Sequence, residues 1–329
     1  MTEFPPLRSI ESARAKINLS LRVLGRRPDG YHELAGVMAT VDLADRLDLG
    51  LRRTTEHDTG WELSSDSSQL PAGEANLCFK AASLFFEAAG IDPQSLHFHC
   101  HIEKKIPMAA GLGGGSADAA AVLRFLWMCW QGGLAESLQL DRGRLSLDHL
   151  DRLALACGAD VPFCLHGGVR FCQGVGERMS GNIESLPHRV LLAFPPFPIR
   201  TADAFRLLDA RRLDQGGRQA PGRQPGPDFA RWTAALVQGD RSEIGSLVHN
   251  DFMEVQSDQS SVTRLIAEDM RDAGAFAASM TGSGPACFAL FDHEKVMENA
   301  FGMLTARYPQ VTWIMTSLSP QTERLACQN

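Results

Sequence analysis

The residues of this 329-residue chain that could do chemistry collect in a few short stretches, the densest being Pro107-Met108-Ala109-Ala110-Gly111-Leu112-Gly113-Gly114-Gly115-Ser116-Ala117. Three adjacent glycines, with Gly111 close by, let a backbone turn its N–H groups inward with no Cβ in the way. The spacing places this stretch between a strand ending near Ile106 and an alanine-rich helix beginning near Ala117. The positive end of that helix then points at the same spot. Such a combination is an anion site, and phosphate is its usual guest. A Walker A loop would close on Gly-Lys-Ser/Thr, which the chain lacks, and a Rossmann loop would carry a third glycine where Ser116 stands. No His-Arg-Asp or Asp-Phe-Gly triplet points to a protein kinase. A flexible turn is the plain alternative, and the strand–loop–helix context favours phosphate over it.

The other candidates are single residues or pairs. Lys16 and Asn18, two positions apart in SARAKINLSLRVL, project from one face of a strand. A lysine there reads by itself as a surface charge. Asp160, in GADVP, occupies the place of an N-cap or turn aspartate. Asp118 falls in the first turn after the glycine loop, where an acidic residue suits the helix dipole, and no catalysis is assigned to it. His97, His99 and His101 alternate and so face one way, which resembles metal ligation. Cys100 points the opposite way and no acidic partner has useful spacing, so an exposed polar strand face is favoured. The 8 cysteines include no Cys-x-x-Cys pair and mostly stand in apolar surroundings, as in WMCW, PFCL and PACFAL. Buried free thiols in a reducing cytoplasm are the reading that follows.

Five blocks together are more specific than any one of these signals. They are AKINLSLRVLGRRPDGYHEL (15–34), IPMAAGLGGGSADAAAVL (106–123), GADVPFCLHGG (158–168), GVGE (174–177) and MTGSGPACFALF (280–291). In sequence and order they resemble the GHMP kinase superfamily, whose signature is a Pro-x-x-x-Gly-Leu-Gly loop around the triphosphate of ATP. The resemblance spans nearly the whole chain. It implies an α+β, two-domain GHMP kinase fold: an N-terminal ribosomal-protein-S5-like domain, a C-terminal ferredoxin-like domain, and the active site between them. It also implies ATP-dependent phosphorylation of the 2-hydroxyl of a cytidine diphosphate-linked methylerythritol, in non-mevalonate isoprenoid precursor biosynthesis. The segment 107–117 would hold ATP, and Mg2+ would arrive with the nucleotide. Lys16 would be the catalytic lysine, Asn18 a substrate contact, and Asp160 the general base toward the acceptor hydroxyl, with Lys16 lowering its pKa and orienting that hydroxyl. An opposite charge within ~4–6 Å keeps an aspartate ionised, so the expectation leans on positioning and charge stabilisation as much as on proton abstraction. Tyr31 would stack on the cytosine, His32 would read its edge, and Phe205 would close the other side. Thr281 to Gly284 would close over the phosphates. No metal ligand is assigned; Ser116 is the nearest hydroxyl to the loop. A mevalonate- or homoserine-type kinase is the alternative, and its substrate would have no base for Tyr31, His32 and Phe205 to meet.

Several elements must position these groups. Residues 12–24 alternate, with Ala13, Ala15, Ile17, Leu19, Leu21 and Val23 on one face and Arg14, Lys16, Asn18, Ser20 and Arg22 on the other, which predicts a strand with one face on a core. Pro28, Asp29 and Gly30 supply a turn. An apolar stretch over 34–49 leads into a second strand, and 52–75 reads only as surface. Helical spacing over 75–90 stops at Gly90, 96–106 alternates as a strand, and 117–130 and 148–157 read as helices separated by a polar excursion. Residues 188–197 predict a strand that opens a second half. The segment 214–227 is loop by its Gly and Pro content, and ACFALF and TWIMTSL read as further strands. The change of domain falls within 175–187, giving 1–180 as the ATP-binding domain and 181–329 as the C-terminal domain.

Composition excludes several classes. At ~150 residues per domain the length fits two domains, each able to bury a core. The charged fraction of 22% with 44% hydrophobic residues rules out wholesale disorder. A formal net charge of -7 argues against a protein that coats nucleic acid or an anionic membrane. No apolar run approaches the ~20 residues of a membrane span, and MTEFPPLRSIESARAK lacks the layout of a secretory signal. The expectation is a cytoplasmic enzyme acting on small molecules, its oligomeric state unread.

Overall fold

The first two strands, β1 (Leu7–Arg26) and β2 (His32–Arg53), form a long antiparallel hairpin. Asp29 accepts from Tyr31 N at 3.1 Å and fixes the turn between them. After β3 (Glu62–Ser65) come helix α1 (Leu77–Ala89), strand β4 (Leu96–Glu103) and helix α2 (Gly114–Cys129). Asn76 caps α1 through Cys78 N, and Gly90 ends it in the left-handed region with φ 72. The short α3 (Ala135–Ser137) precedes α4 (Leu147–Cys157), α5 (Val161–His166), β5 (Val169–Gly174) and β6 (Arg178–Ser180). The computed structural model describes residues 6–54, 60–71, 73–183, 188–214, 226–255 and 258–319.

The second half runs β7 (Arg189–Phe194), α6 (Thr201–Asp214), α7 (Phe229–Gln238), α8 (Arg241–Leu247), β8 (His249–Asn250), α9 (Asp258–Asp272), β9 (Ala277–Met280), β10 (Cys287–Phe291), α10 (Glu294–Arg307) and β11 (Thr312–Ser317). The first sheet has the order β3-β4-β2-β1-β8, and β2 also pairs with β5, which pairs with β6. The length of β2 explains this: its Leu34–Ala39 part meets β5 and its Arg46–Arg53 part meets β4, both on the edge away from β1. The second sheet, β11-β7-β10-β9, is antiparallel throughout.

Alternation decides what each face of the second sheet touches. Leu191, Ala193, Cys287, Ala289 and Phe291 pack with Ile266, Met270, Met297 and Leu304 of α9 and α10. Val190, Leu192, Phe288 and Leu290 pack instead in one cluster with Ile17, Leu19, Val37 and Val41 of the β1–β2 hairpin. The two halves therefore share a core. Helix α2 is apolar on nearly all sides and lies inside the first half, where its alanines let α1, α5 and β1 approach.

Five sequence expectations are corrected. The polar face of β1 is not exposed at its centre: Lys16, Asn18 and Ser20 are buried. The register of β1 on β2 breaks between Arg14 and Lys16 and again between Asn18 and Ser20, irregularities that an alternating pattern hides. The surface stretch 52–75 contains β3, which pairs in parallel with β4 and places Glu62 on His99 and Ser64 on His101. The face of His97, His99 and His101 is thus half-buried rather than exposed. Helix α2 begins at Gly114, so Gly114 and Gly115 are its first residues and Asp118 lies beyond its first turn. The excursion 131–146 also packs back through Leu134, Ala135 and Leu145. Most of 214–227 and Cys327 lie outside the described residues. The other seven cysteines are free and buried.

Candidate active site

The register breaks in β1 determine what its central N–H groups do. Lys16 N donates to Leu112 O at 3.0 Å, and Asn18 N donates to Thr281 Oγ1 at 2.9 Å. One strand therefore holds the glycine loop on one side and the Thr281–Gly284 turn on the other. The two loops also touch directly. A Cβ on Gly111, at φ +77, would stand 2.9 Å from Thr281 O, so only glycine fits that approach.

The glycine loop ends on Gly113, the N-cap of α2, at φ 68 and with no side-chain cap bond. The first N–H groups of α2 are left for a ligand, which is the arrangement of an anion site. Ala109, at φ 54, is a non-glycine in the same region of the Ramachandran map and carries the strain such a residue bears. Gly111, Gly113 and Ser116 line the cleft. Leu112, Ala110 and Ala117 turn their side chains into the core and hold the loop from behind, while Pro107, Met108 and Ala109 lie at its outer edge.

Lys16 and Asp160 meet across this loop. Lys16 Nζ lies 2.8 Å from Asn18 Oδ1 and 3.4 Å from Asp160 Oδ2. Asp160 does occupy the N-cap position of α5, but its side chain makes no cap bond, so the carboxylate is given to Lys16. The Lys16 side chain is 4% exposed and the Asp160 side chain 33%, which leaves the carboxylate open to the cleft. Asn18 Oδ1 also accepts from Gly282 N at 3.0 Å and Thr281 Oγ1 at 3.3 Å. With three donors on the oxygen the amide orientation is fixed, and Nδ2 is the group left to donate.

At the far end, Tyr31 is 66% exposed. The rings of His32 and Phe205 stack at 4.3 Å and 16°. The expected sandwich of a base between Tyr31 and Phe205 differs from this arrangement, because imidazole already lies on Phe205. His32 Nε2 lies 3.1 and 3.0 Å from the two oxygens of Asp209. Lys16, Asn18, Tyr31, His32, Asp160 and Phe205 all line one cleft of about 1020 Å³.

Several residues that hold this site escaped the sequence reading. Lys104 bridges Asp45 and Asp118, at 2.8 Å from Asp118 Oδ2, and Asp45 Oδ1 accepts from Lys105 N and Ile106 N at 2.6 and 2.8 Å. This buried cluster ties the entry of the glycine loop to α2. Burial drives the Asp118 carboxyl up to about 7, against the pull of Lys104 and with the help of Asp45. Burial alone would lower Lys104, yet Asp118 and Asp45 raise it. Arg124 of α2 donates to Cys164 O at 2.8 Å and Ser12 O at 3.2 Å, joining the helix that follows Asp160 to the strand of Lys16. Arg212 donates to Val23 O at 2.7 Å and Asp251 Oδ2 at 2.8 Å, which holds α6 against β1. A lone arginine in an apolar helix was the available signal for Arg124, and the i, i+4 spacing of Phe205 and Asp209 for Asp209.

A glycine loop at an uncapped helix end, with a buried lysine and a half-open carboxylate opposite, defines a small-molecule kinase of α+β architecture. Comparisons with known proteins agree. Residues 76–168 match the GHMP kinases N terminal domain and 232–310 the GHMP kinases C terminal. The chain is 36% identical over 307 residues to a 4-diphosphocytidyl-2-C-methyl-D-erythritol kinase of Bacillus pumilus, covering 93% of this chain and 96% of that one. It is 37% identical over 299 residues to the enzyme of the same name from Geobacillus kaustophilus, covering 91% and 93%. A crystal structure of 4-(cytidine 5'-diphospho)-2C-methyl-D-erythritol kinase superposes with a TM-score of 0.71 at 30% identity, over 94% of this chain and 99% of that one. The chain belongs to the GHMP kinase family, in its 4-diphosphocytidyl-2-C-methyl-D-erythritol kinase branch.

Proposed function

We propose that the protein transfers the γ-phosphoryl group of ATP to the 2-hydroxyl of 4-diphosphocytidyl-2-C-methyl-D-erythritol, giving the 2-phosphate and ADP, in non-mevalonate isoprenoid precursor biosynthesis. The observation that carries this reading is one cleft with a phosphate loop and the Lys16–Asp160 pair at one end and Tyr31, His32 and Phe205 at the other. In this reading the glycine loop and the free N–H groups of α2 take the ATP phosphates. Residues 1–180 form the ATP-binding domain and 181–329 the C-terminal domain.

Phosphoryl transfer needs positioning and charge neutralisation more than covalent help. Lys16 has three N–H donors, of which Asn18 and Asp160 occupy two. The third is available to the acceptor oxygen or the transferred phosphoryl group, where it offsets developing charge. Asp160 keeps an open oxygen for the proton of the attacking hydroxyl. Asn18 Nδ2 donates to the substrate and limits its rotation. Around the loop, the hydroxyls of Ser116 and Ser283 and the Asp160 carboxylate line the cleft as oxygen donors for a cation; Asp160 is engaged with Lys16 and Ser283 with Thr201. One carboxylate, already paired, and two hydroxyls suit Mg2+ that arrives on the nucleotide rather than a site held by protein alone. The ion would neutralise phosphate charge. The buried free thiols fit a reducing compartment, the cytoplasm.

ADP release over a panel of alcohols tests the reading. The cytidine diphosphate-linked methylerythritol should exceed mevalonate and homoserine by at least ~10³-fold in kcat/KM, since neither small acceptor reaches the base end of the cleft. Equal turnover of mevalonate would favour the other GHMP acceptor class.

A further inference from the structure

We propose that Asp209 is a positioning residue that makes the cleft select cytosine over uracil, by holding His32 with Nδ1 as a bare hydrogen-bond acceptor. The proposal rests on the reading of a cytidine-bearing substrate given above.

An ionised carboxylate only accepts hydrogen bonds. Both Asp209 oxygens lie against Nε2 of His32, at 3.1 and 3.0 Å, so Nε2 carries the proton. In the neutral ring Nδ1 then carries none. Nδ1 has no partner among the described residues, and His32 lines the cleft. The imidazole cannot swing away freely, because one face lies on Phe205 at 4.3 Å. Phe205 and Asp209 stand one helical turn apart on α6, and Arg212 pins that helix to Val23 and Asp251. Ring plane and protonated nitrogen are therefore set by one rigid element.

The consequence follows from the two pyrimidines. Cytosine carries an amino donor at C4, where uracil carries a carbonyl acceptor. A bare Nδ1 accepts from the cytosine amino group and opposes the uracil carbonyl, acceptor against acceptor. A base meeting Nδ1 in the imidazole plane would also lie nearly parallel to Phe205, since the two rings differ by only 16°. Without the carboxylate the ring exchanges tautomers, and the Nδ1–H form accommodates uracil.

Calorimetric binding of CDP and UDP to the wild type and to Asp209→Asn, Asp209→Ala and Asp209→Glu tests this. The wild type should bind CDP at least ~30-fold more tightly than UDP, and Asp209→Ala should cut that ratio by ~10-fold or more, mainly through weaker CDP binding. Asp209→Glu, which keeps a carboxylate, should restore part of the ratio, and Asp209→Asn should restore less. In the kinase assay the loss should appear in KM for the cytidine substrate, with the same order among the variants. A ratio unchanged in Asp209→Ala, or CDP and UDP weakened equally in all three variants, overturns the proposal. Turnover of the cytidine diphosphate-linked methylerythritol by the wild type checks the underlying reading separately. A wild type that turns it over with no preference for CDP sinks only the proposal. A wild type that prefers CDP through Asp209 yet phosphorylates only other alcohols sinks only the reading.

Discussion

At the end of the cleft proposed for phosphate the groups on offer are backbone N–H groups and buried side chains; at the end proposed for the base they are one exposed ring and two part-buried ones. The glycine loop is held from β1 at Lys16 N, from the Thr281 turn, and from behind by the Asp45–Lys104–Asp118 cluster. Tyr31, by contrast, follows a turn and is largely exposed, and His32 and Phe205 depend on each other and on α6. The difference matches the ligands proposed for each end. Phosphate charge is met by N–H groups and cations that must stay in place when charge moves, since reorganisation would raise the barrier. A base is recognised through its face and edge, which only side chains supply.

The largest effect expected is at the junction of the two ends. Lys16→Ala and Asp160→Asn should each lower kcat by about 10³-fold, because each removes a group placed where charge or a proton moves. Cytidine binding should remain near the wild-type value in both. Steady-state ADP release with calorimetry checks this. Full activity in both variants would remove the pair from the chemistry.

The buried cluster behind the loop gives the next test. Asp118 is raised to about 7 from its ordinary 3.8, chiefly by burial. Between those two values the folded chain retains a proton that the unfolded chain has released, so stability falls as pH rises through the window. Asp118→Asn cannot titrate. Wild-type stability minus that of Asp118→Asn should therefore fall by about 2–4 kcal/mol between about pH 4 and pH 7. Chemical denaturation across that range measures it, and a flat difference would mean that Lys104 keeps Asp118 ionised throughout.

Smallest is the effect at the exposed aromatic. Tyr31→Ala should raise KM for the cytidine substrate about 10-fold, in the range of one lost base stack, while KM for ATP and the melting temperature stay put. A fall in melting temperature would mean that Tyr31 packs rather than binds.

How much of this was readable before folding differs by element. The glycine loop, Lys16, Asn18 and Asp160 were legible because they stand in short blocks whose residue types are dictated locally. The strands β1 and β4 and the helices α1 and α4 followed from period and caps. The strand β3 was not legible, since three polar residues and one leucine pair only because β4 offers its edge. Asp160 was ambiguous in the chain: an N-cap position is a local property, whereas the destination of its carboxylate is not.

By itself the sequence determined the periodic elements, the glycine loop between strand and helix, and the residue types available for phosphoryl transfer, because backbone propensity and side-chain chemistry act over a few neighbouring positions. Only the tertiary structure decided that Lys16 is buried, that β1 breaks register to hold two loops, and that Asp209 reaches His32 across 177 positions of chain. Burial and long-range pairing depend on which surfaces meet, and that is settled when the second sheet closes on the β1–β2 hairpin.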